Sequence, residues 1–298
     1  MYLPMIGIVI PVFNRIEYTV QCLRSLRKIE YPNFKIIVVN DGSTDGTPEV
    51  IAKHFPEVTV LHGDGTLWWA GGTNLGIRHA LDIGCKYVLF LNNDDEVDKY
   101  LLYNLVNCAK EHSESLIACK IKCFEKPDTL IYAGGDVDWA RNGLITFGAG
   151  EIDQGGYDLV TDTKWVPGAG TFTPDEAFKR VGLLDQRLFP HYAADIDFTL
   201  RCHAAGFKIL LEPKAVIYKK MNPIQLPSKA RKGIFNTLCA PLFSIKSPVN
   251  VKLQLRFIKR HCPRKYRLRV LLFRYASYYR GFMSIGALRR YLNTTTAQ

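Results

Sequence analysis

The segment YVLFLNNDDEVD, residues 87–98, joins an apolar run to a cluster of amides and carboxylates. The apolar half predicts a strand that is buried on both faces. Polar groups at the end of such a strand either form a turn or hold a cation. Carboxylates there also suit the N-terminus of a following helix. We therefore assign Asp98 and Glu96 to the helix start and Asp94 to a cation, because the two uses are compatible.

The segment belongs to an alternation of strands and helices. Apolar runs predict strands at residues 5–13, 34–40, 57–62, 87–92 and 115–124. Helices are predicted between them at 15–29, 71–84 and 99–112, and a further helix begins at Thr47-Pro48. This order predicts an α/β fold with an open, mostly parallel sheet and flanking helices. Ligands bind beyond the carboxyl ends of the strands in such sheets. We therefore expect Asn14, Asp41 and residues 92–95 to converge on one crevice.

The later residues are less regular. Residues 123–165 are rich in Gly, Asp and aromatic residues and predict short strands and loops over the crevice. Thr173 and Glu176 form a capping-box pattern that predicts a helix over 173–182. Residues 195–206 predict another helix, and residues 207–218 predict two strands interrupted at Pro213.

Charge divides the 298-residue chain unequally. Residues 219–298 contain 18 Lys and Arg and no Asp or Glu, whereas residues 1–218 contain 21 basic and 28 acidic residues. We therefore predict two parts, an acidic globular domain over 1–218 and a basic, mostly helical extension over 219–298. In the extension, apolar residues share one helical face with arginines beside it: Leu268, Leu271, Leu272, Tyr275, Tyr279, Phe282 and Met283. This pattern suits peripheral contact with a membrane, and packing on the 1–218 domain or in a homodimer is the alternative.

Two groups of acidic residues carry the predicted chemistry. A divalent cation takes one or two carboxylates and completes its shell with water and substrate phosphates, which makes Asp94 and Asp95 candidate ligands. Asp195 and Asp197 flank a predicted helix start, where a carboxylate either caps the helix or faces the crevice as a general base. In residues 63–76, Trp68 and Trp69 either contact a ligand or pack in the core.

Four segments in order resemble glycosyltransferase family 2, which has the GT-A fold: IPVFN (10–14), VVNDGSTDGT (38–47), LNNDD (91–95) and residues 166–209. This family builds bacterial surface polysaccharides, and the chain is similar to its rhamnosyltransferase-like members. Asn92-Asn93-Asp94 stands where the family has Asp-x-Asp, and Asp195 stands at the catalytic base. The chain departs from the family with Asn92 in place of the first Asp, Ala194 before the base, and Lys219 and Lys220 where many members have a His.

The resemblance covers about residues 1–218, which would be the GT-A catalytic domain. It also implies roles for individual residues. Trp68 and Trp69 would stack on the base or line the sugar pocket, with core packing as the alternative. Asp195 would be the catalytic base, and Asp94 with Asp95 would hold Mn²⁺ or Mg²⁺. The acceptor side would include His191, Tyr192 and Asp197. The nucleotide and donor would contact Pro11, Val12, Phe13, Asn14, Asp41, Gly72, Asn74, Asn92, Asn93, Asp94, Gly168 and Ala169.

The expected function is an inverting, metal-dependent hexosyl transfer from a UDP- or dTDP-sugar to a hydroxyl of a lipid-linked glycan. The expected location is the cytoplasm, at the inner face of the membrane. A nucleic-acid-binding protein that uses the basic tail is one alternative, although no recognition module is present and residues 1–218 are acidic. Another nucleotide-sugar enzyme is the second alternative, but PVFNRIE, residues 11–17, does not resemble a phosphate-binding loop.

Overall fold

The computed structural model describes residues 3–220 and 239–283, in which ten strands form one mixed sheet. The strand order is β10-β12-β6-β11-β4-β1-β2-β3, with β5 added to β12 and β7 to β6, and β8 pairs separately with β9. The strands are β1 (Ile6–Val12), β2 (Phe34–Asn40), β3 (Thr59–His62), β4 (Tyr87–Phe90), β5 (Asp95–Val97), β6 (Ser115–Cys123), β7 (Leu130–Tyr132), β8 (Gly135–Asp138), β9 (Gly143–Thr146), β10 (Thr161–Asp162), β11 (Thr171–Pro174) and β12 (Lys208–Lys219).

Helices cover the sheet. They are α1 (Ile16–Leu26), α2 (Thr47–His54), α3 (Trp68–Asp82), α4 (Leu101–Glu111), α5 (Asp175–Val181) and α6 (Ala194–Ala204). The central strands are buried on both faces, and their apolar side chains form the core with the inner faces of α1 and α4. Strands β1, β2 and β4 run parallel in register, so their carboxyl ends meet at one edge of the sheet. The mostly parallel α/β sheet with flanking helices is confirmed.

Three predicted elements differ from the structure. Residues 171–174 form the buried strand β11 between β4 and β6, and Pro174, not Thr173, precedes helix α5. Strand β12 is continuous past Pro213, because a bulge between Glu212 and Val216 absorbs the proline. Helix α3 already begins at Trp68, so the glycine pair at 71–72 lies inside a helix and not in a turn.

The chain forms two compact units, Met1–Asp136 with Ile145–Leu226, and Val137–Leu144 with Pro227–Gln298. The segment Val137–Leu144 therefore groups with the basic extension, which the sequence had not indicated. In the second unit, helices Val251–His261 and Arg267–Met283 pack together, and the ring of Trp139 lies 6.4 Å from that of Phe257.

The amphipathic face predicted for residues 268–283 is only partly correct. Val270 and Arg274 lie on the packed side, where Arg274 contacts the ring of Phe257 and burial lowers its pKa. Leu268 is 70% exposed and Leu272 is 61% exposed. None of the helices in the described part of the chain has both the length and the apolar character that crossing a bilayer requires. The side chains of Phe282 and Met283 lie outside the described residues.

Candidate functional site

The ends of β1 and β2 are joined by hydrogen bonds between their following loops. Asn14 has a left-handed backbone, and its N–H donates to Oγ of Ser43 at 2.7 Å. The N–H of Thr44 donates to Oδ1 of Asn14 at 2.8 Å. The left-handed geometry is one that Asn tolerates better than most residues. Asn14 therefore holds the 43–45 loop at the crevice, next to the exposed ring of Phe13.

Asp41 fixes the entry to helix α3. Its Oδ1 accepts from the N–H of Gly65 at 2.8 Å, and its Oδ2 accepts from the N–H of Trp68 at 3.1 Å. Trp68 is held in a left-handed conformation at this point. The buried carboxylate thus orders the 63–68 loop, while its predicted contact with the nucleotide stays a prediction.

Trp69 links the end of β4 to the loop before β11. Its Nε1 donates to Oδ1 of Asn92 at 2.9 Å. The far edge of the indole lies against Gly168, where an added Cβ would be only 2.4 Å from Cζ2. The N–H of Gly168 in turn donates to Oδ2 of Asp195 at 2.6 Å. One continuous chain of contacts therefore connects the strand end at Asn92 with the predicted base.

Asp195 lies in the first turn of α6. Besides the bond from Gly168, its Oδ1 accepts from the N–H of Ile196 at 2.9 Å. Burial raises the pKa of Asp195 above its ordinary value, against the effect of these N–H groups. A carboxylate with a raised pKa is the more basic one, as general-base catalysis requires. Ala193, in a left-handed conformation just before the helix, sets the direction in which α6 starts.

Basic side chains neutralise the acidic group after β4. Nζ of Lys219 lies 3.4 Å from Oδ1 of Asp94 and 3.3 Å from Oδ1 of Asp95. Arg15 lies 3.5 Å from the other oxygen of Asp94. Burial disfavours charge on Lys219, but the carboxylates of Asp95 and Asp94 outweigh it and hold the pKa of Lys219 above its usual value. Lys219 is therefore a partly buried cation between two carboxylates.

The two predicted metal ligands differ in how well they fit a cation. Asp94 has a 10% exposed side chain, and its contacts with Lys219 and Arg15 are long, so an oxygen can turn toward a ligand. Asp95 is 0% exposed, and its Oδ2 accepts from the N–H of Asn92 at 2.7 Å. Asp95 is therefore the more constrained of the two, with only Oδ1 facing Lys219, and its role as a metal ligand stays a prediction. In residues 3–220 and 239–283, no group of three or more His, Cys, Asp or Glu side chains is arranged to hold a metal.

Two residues predicted on the acceptor side border the start of α3. The ring centroid of His191 is 6.0 Å from that of Trp68 and 4.8 Å from that of the exposed Tyr192. Asp197 does not belong with them. Its side chain is 0% exposed and pairs with Nε of Arg201 at 2.9 Å. The prediction for Asp197 is wrong because the residue faces the protein interior.

Three residues predicted to contact the nucleotide make hydrogen bonds or packing contacts with other residues of the protein. Both N–H groups of Asn74 donate to the 184–186 loop, and its oxygen accepts from the N–H of Leu184. Gly72 packs against Pro11, where a Cβ would be 3.1 Å from the proline Cβ. Asn93 is buried and donates to Oγ1 of Thr19 at 3.1 Å. The structure gives these residues packing and positioning roles in place of the predicted contacts.

The remaining donor-side residues lie at the expected strand ends. Val12 is buried at the end of β1, and Ala169 is buried next to Gly168. The sequence singled out Trp69 and Lys219 without assigning them to the donor, acceptor or metal, and the structure places both in the site. In the sequence, Trp69 belongs to an uncommon Trp-Trp pair, and Lys219 belongs to a basic pair directly after the last predicted strand.

Comparison with known proteins decides the family. The model of glycosyl transferase family 2 matches residues 7–163, more than half of the chain. The chain belongs to glycosyltransferase family 2. It is 28% identical over 131 residues to glycosyltransferase GlyG of Streptococcus pneumoniae, a match covering 43% of the chain and 42% of that relative. It is 24% identical over 241 residues to the uncharacterized glycosyltransferase RP339 of Rickettsia prowazekii, covering 77% and 68% of the two.

The matches to the first relatives cover less than two thirds of those proteins, as with the 42% of GlyG. Among solved structures, TarS of Staphylococcus aureus, residues 1–349 in complex with UDP-GlcNAc, aligns with a TM-score of 0.57. That alignment has 17% sequence identity and covers 90% of this chain and 70% of the TarS 1–349 chain. The likeness shows that this member of the family has the same α/β fold as TarS.

Proposed function

We propose that this family 2 glycosyltransferase transfers a sugar from a nucleotide-sugar donor to an acceptor hydroxyl with inversion. The observation that supports the proposal most is the contact chain from Asn92 through Trp69 and Gly168 to Asp195. It brings a donor-side strand end and a basic carboxylate into one neighbourhood. A single displacement needs a base on one side of the anomeric carbon and a stabilised leaving group on the other.

In the proposed reaction Asp195 accepts the proton of the acceptor hydroxyl. The two N–H groups on its oxygens hold the carboxylate in one orientation. Gly168 brings backbone close to the transferred sugar, and Trp69 supports that loop from behind. Asp94 would hold a divalent cation, Mn²⁺ or Mg²⁺, which supplies positive charge to the departing diphosphate. Arg15 and Lys219 add positive charge at the same place.

For the donor we propose a UDP-sugar first and a dTDP-sugar second. TarS, which has the same fold, was solved in complex with UDP and with UDP-GlcNAc, and this supports a uridine nucleotide. N-acetylglucosamine is therefore one donor sugar to test. Rhamnose, which the sequence resemblance suggests, is the second donor sugar to test. No observation on the described residues favours one hexose over another.

The proposed acceptor is a lipid-linked glycan in bacterial surface polysaccharide synthesis, reached at the inner face of the membrane. Leu268, Leu272 and Phe273 are exposed on a helix that also carries arginines, which supports peripheral contact with anionic lipid. The packing of Val270 and Arg274 against the neighbouring helix supports the alternative that this helix is structural. Flotation of the full chain with anionic and with neutral vesicles separates the two.

The test is a donor screen with the full chain and Mn²⁺, read by release of nucleotide from UDP-GlcNAc, UDP-glucose, UDP-galactose and dTDP-rhamnose. We expect release from at least one donor. Asp195→Asn should lower that release by about 100-fold or more while UDP binding, measured by calorimetry, stays within about threefold of the unchanged protein. The proposal fails if no donor is consumed, or if Asp195→Asn turns over normally.

A further inference from the structure

Lys219 occupies the place at which a cation bridging Asp94 and Asp95 would lie. Its Nζ is nearly equidistant from one oxygen of each carboxylate, at 3.4 and 3.3 Å. A metal shared by the same two oxygens would need this volume, since its bonds are about 2.0–2.6 Å long. An ammonium and a divalent ion therefore exclude each other here.

Backbone pairing holds Lys219 next to the two carboxylates. It is the last residue of β12, where it pairs with Asp95 of β5 on one side and Cys123 of β6 on the other. The N–H of Phe124 also donates to the carbonyl of Lys219 at 2.9 Å. Because the Cα of Lys219 is fixed between two strands, its side chain lies close to both carboxylates. It therefore loses little conformational entropy when it pairs with them.

Among the described residues, the positive and negative side chains around Asp94 and Asp95 are equal in number. Arg15 and Lys219 face Asp94 and Asp95, and Lys220 pairs separately with Glu96 at 3.1 Å. A divalent ion entering such a group meets two positive charges within a few ångströms. In a partly buried site that repulsion is weakly screened.

We propose that Lys219 is an internal counter-ion that keeps divalent metal out of the Asp94–Asp95 pair until a donor diphosphate is bound. The diphosphate brings negative charge of its own, which Lys219 and Arg15 can meet while Asp94 turns to the metal. Metal and nucleotide then enter together, and the nucleotide-free protein holds metal poorly. This inference rests on the proposed function for its purpose, but its first test needs neither nucleotide nor sugar.

The experiment titrates Mn²⁺ into the nucleotide-free full chain at about pH 8, where carboxylates are ionised, and follows free Mn²⁺ by electron paramagnetic resonance. Lys219→Met should bind Mn²⁺ at least about tenfold more tightly than the unchanged protein, because one opposing charge is gone. Adding Asp94→Asn to that variant should remove the gain. Should Lys219→Met fail to fold, Lys219→Gln carries the same expectation, since it keeps a polar side chain of similar reach.

Lys220→Met is the matched control. It removes the same charge one residue away, but Lys220 pairs with Glu96 and lies 4.7 Å from the ring of Phe124. It should bind Mn²⁺ like the unchanged protein. The inference is overturned if the Lys219 variants bind Mn²⁺ no more tightly than the unchanged protein, or if Lys220→Met shows the same gain. A donor screen without turnover would refute the proposed function and leave this titration unaffected.

Discussion

Gly168→Ala tests whether the contact between Trp69 and the Gly168 loop positions the base. The added Cβ would lie 2.4 Å from Cζ2 and 2.7 Å from Cη2 of the indole. An ordinary contact begins at 3.4 Å, so the loop or the ring must move by about 1 Å. The ring is held by its bond to Asn92, and the loop is held by its bond to Asp195. One of those two bonds must therefore lengthen.

The expected magnitude follows from these distances. Overpacking of this kind costs about 1–3 kcal/mol, and for a unit of this size about 2 kcal/mol corresponds to a melting temperature lower by roughly 4–8 °C. A displacement of about 1 Å at the N–H that orients Asp195 should lower kcat by about 100-fold in the proposed transfer. Differential scanning calorimetry measures the first effect, and nucleotide release under saturating donor measures the second.

Two further variants make the result decisive. Gly156→Ala is the control, because an added Cβ there meets nothing within 4 Å. In a Trp69→Leu background, Gly168→Ala should cost less than about 0.5 kcal/mol, since the ring that it strikes is gone. If Gly168→Ala melts and turns over like Gly156→Ala, the indole does not position this loop and the reasoning is wrong.

Three other predictions follow from burial and charge. Because burial raises the pKa of Asp195 and the base acts when ionised, activity should fall with decreasing pH at a midpoint above 3.8, and a pH–rate profile with a lower midpoint would contradict this. Asn74→Ala should destabilise the protein by about 3 kcal/mol in urea, whereas Asn104→Ala, which removes one exposed hydrogen bond to the carbonyl of Lys214, should cost less than about 1 kcal/mol. Arg201→Ala should cost about 3–5 kcal/mol because it removes the cation that pairs with the buried carboxylate of Asp197, and a loss under about 1 kcal/mol would refute that assignment.

The edge of the sheet at which the site lies could be predicted from short-range patterns. Each of β1, β2 and β4 is an apolar run followed within two residues by Asn or Asp. Parallel pairing places such residues together whatever the rest of the chain does. This is why Asn14, Asp41 and Asn92 were found from sequence while the bonds that they make were not.

The contacts that organise the site join residues far apart in sequence, so no local pattern reports them. The partners of Asn74 are 110 and 112 residues away, and an Asn within a Gly-rich segment suggests a ligand contact equally well. Strand β11 was missed for a related reason. A four-residue strand ending in Pro174 has no room for periodicity, and its burial comes from β4 and β6 on either side.

The assignment of Asp197, by contrast, could have been made correctly from sequence. Two residues apart on a helix correspond to about 200° of rotation, so Asp195 and Asp197 cannot face the same crevice. Arg201, four residues after Asp197, completes a favourable pair on the same helical face. Spacing alone therefore favours Asp195 as the residue at the crevice.

Backbone strain gathers where the loops of the site meet. Asn14, Trp68 and Ala193 adopt left-handed conformations, with φ of 58°, 56° and 66°. Such a conformation costs about 1–2 kcal/mol for an ordinary L-residue, and surrounding contacts must hold it. Ser43 accepts from the N–H of Asn14, Asp41 accepts from that of Trp68, and the carbonyl of Ala193 accepts from the N–H of Asp197.

Those contacts are all made between residues of the protein. The loops beside the crevice are therefore ordered by the protein itself, and donor binding does not have to supply the free energy of ordering them. Asp41 and Asp197, both buried, therefore have the same structural role. Each uses its carboxylate or backbone N–H to hold one strained turn, and each turn fixes the start of a helix, α3 or α6, whose first residues face the crevice.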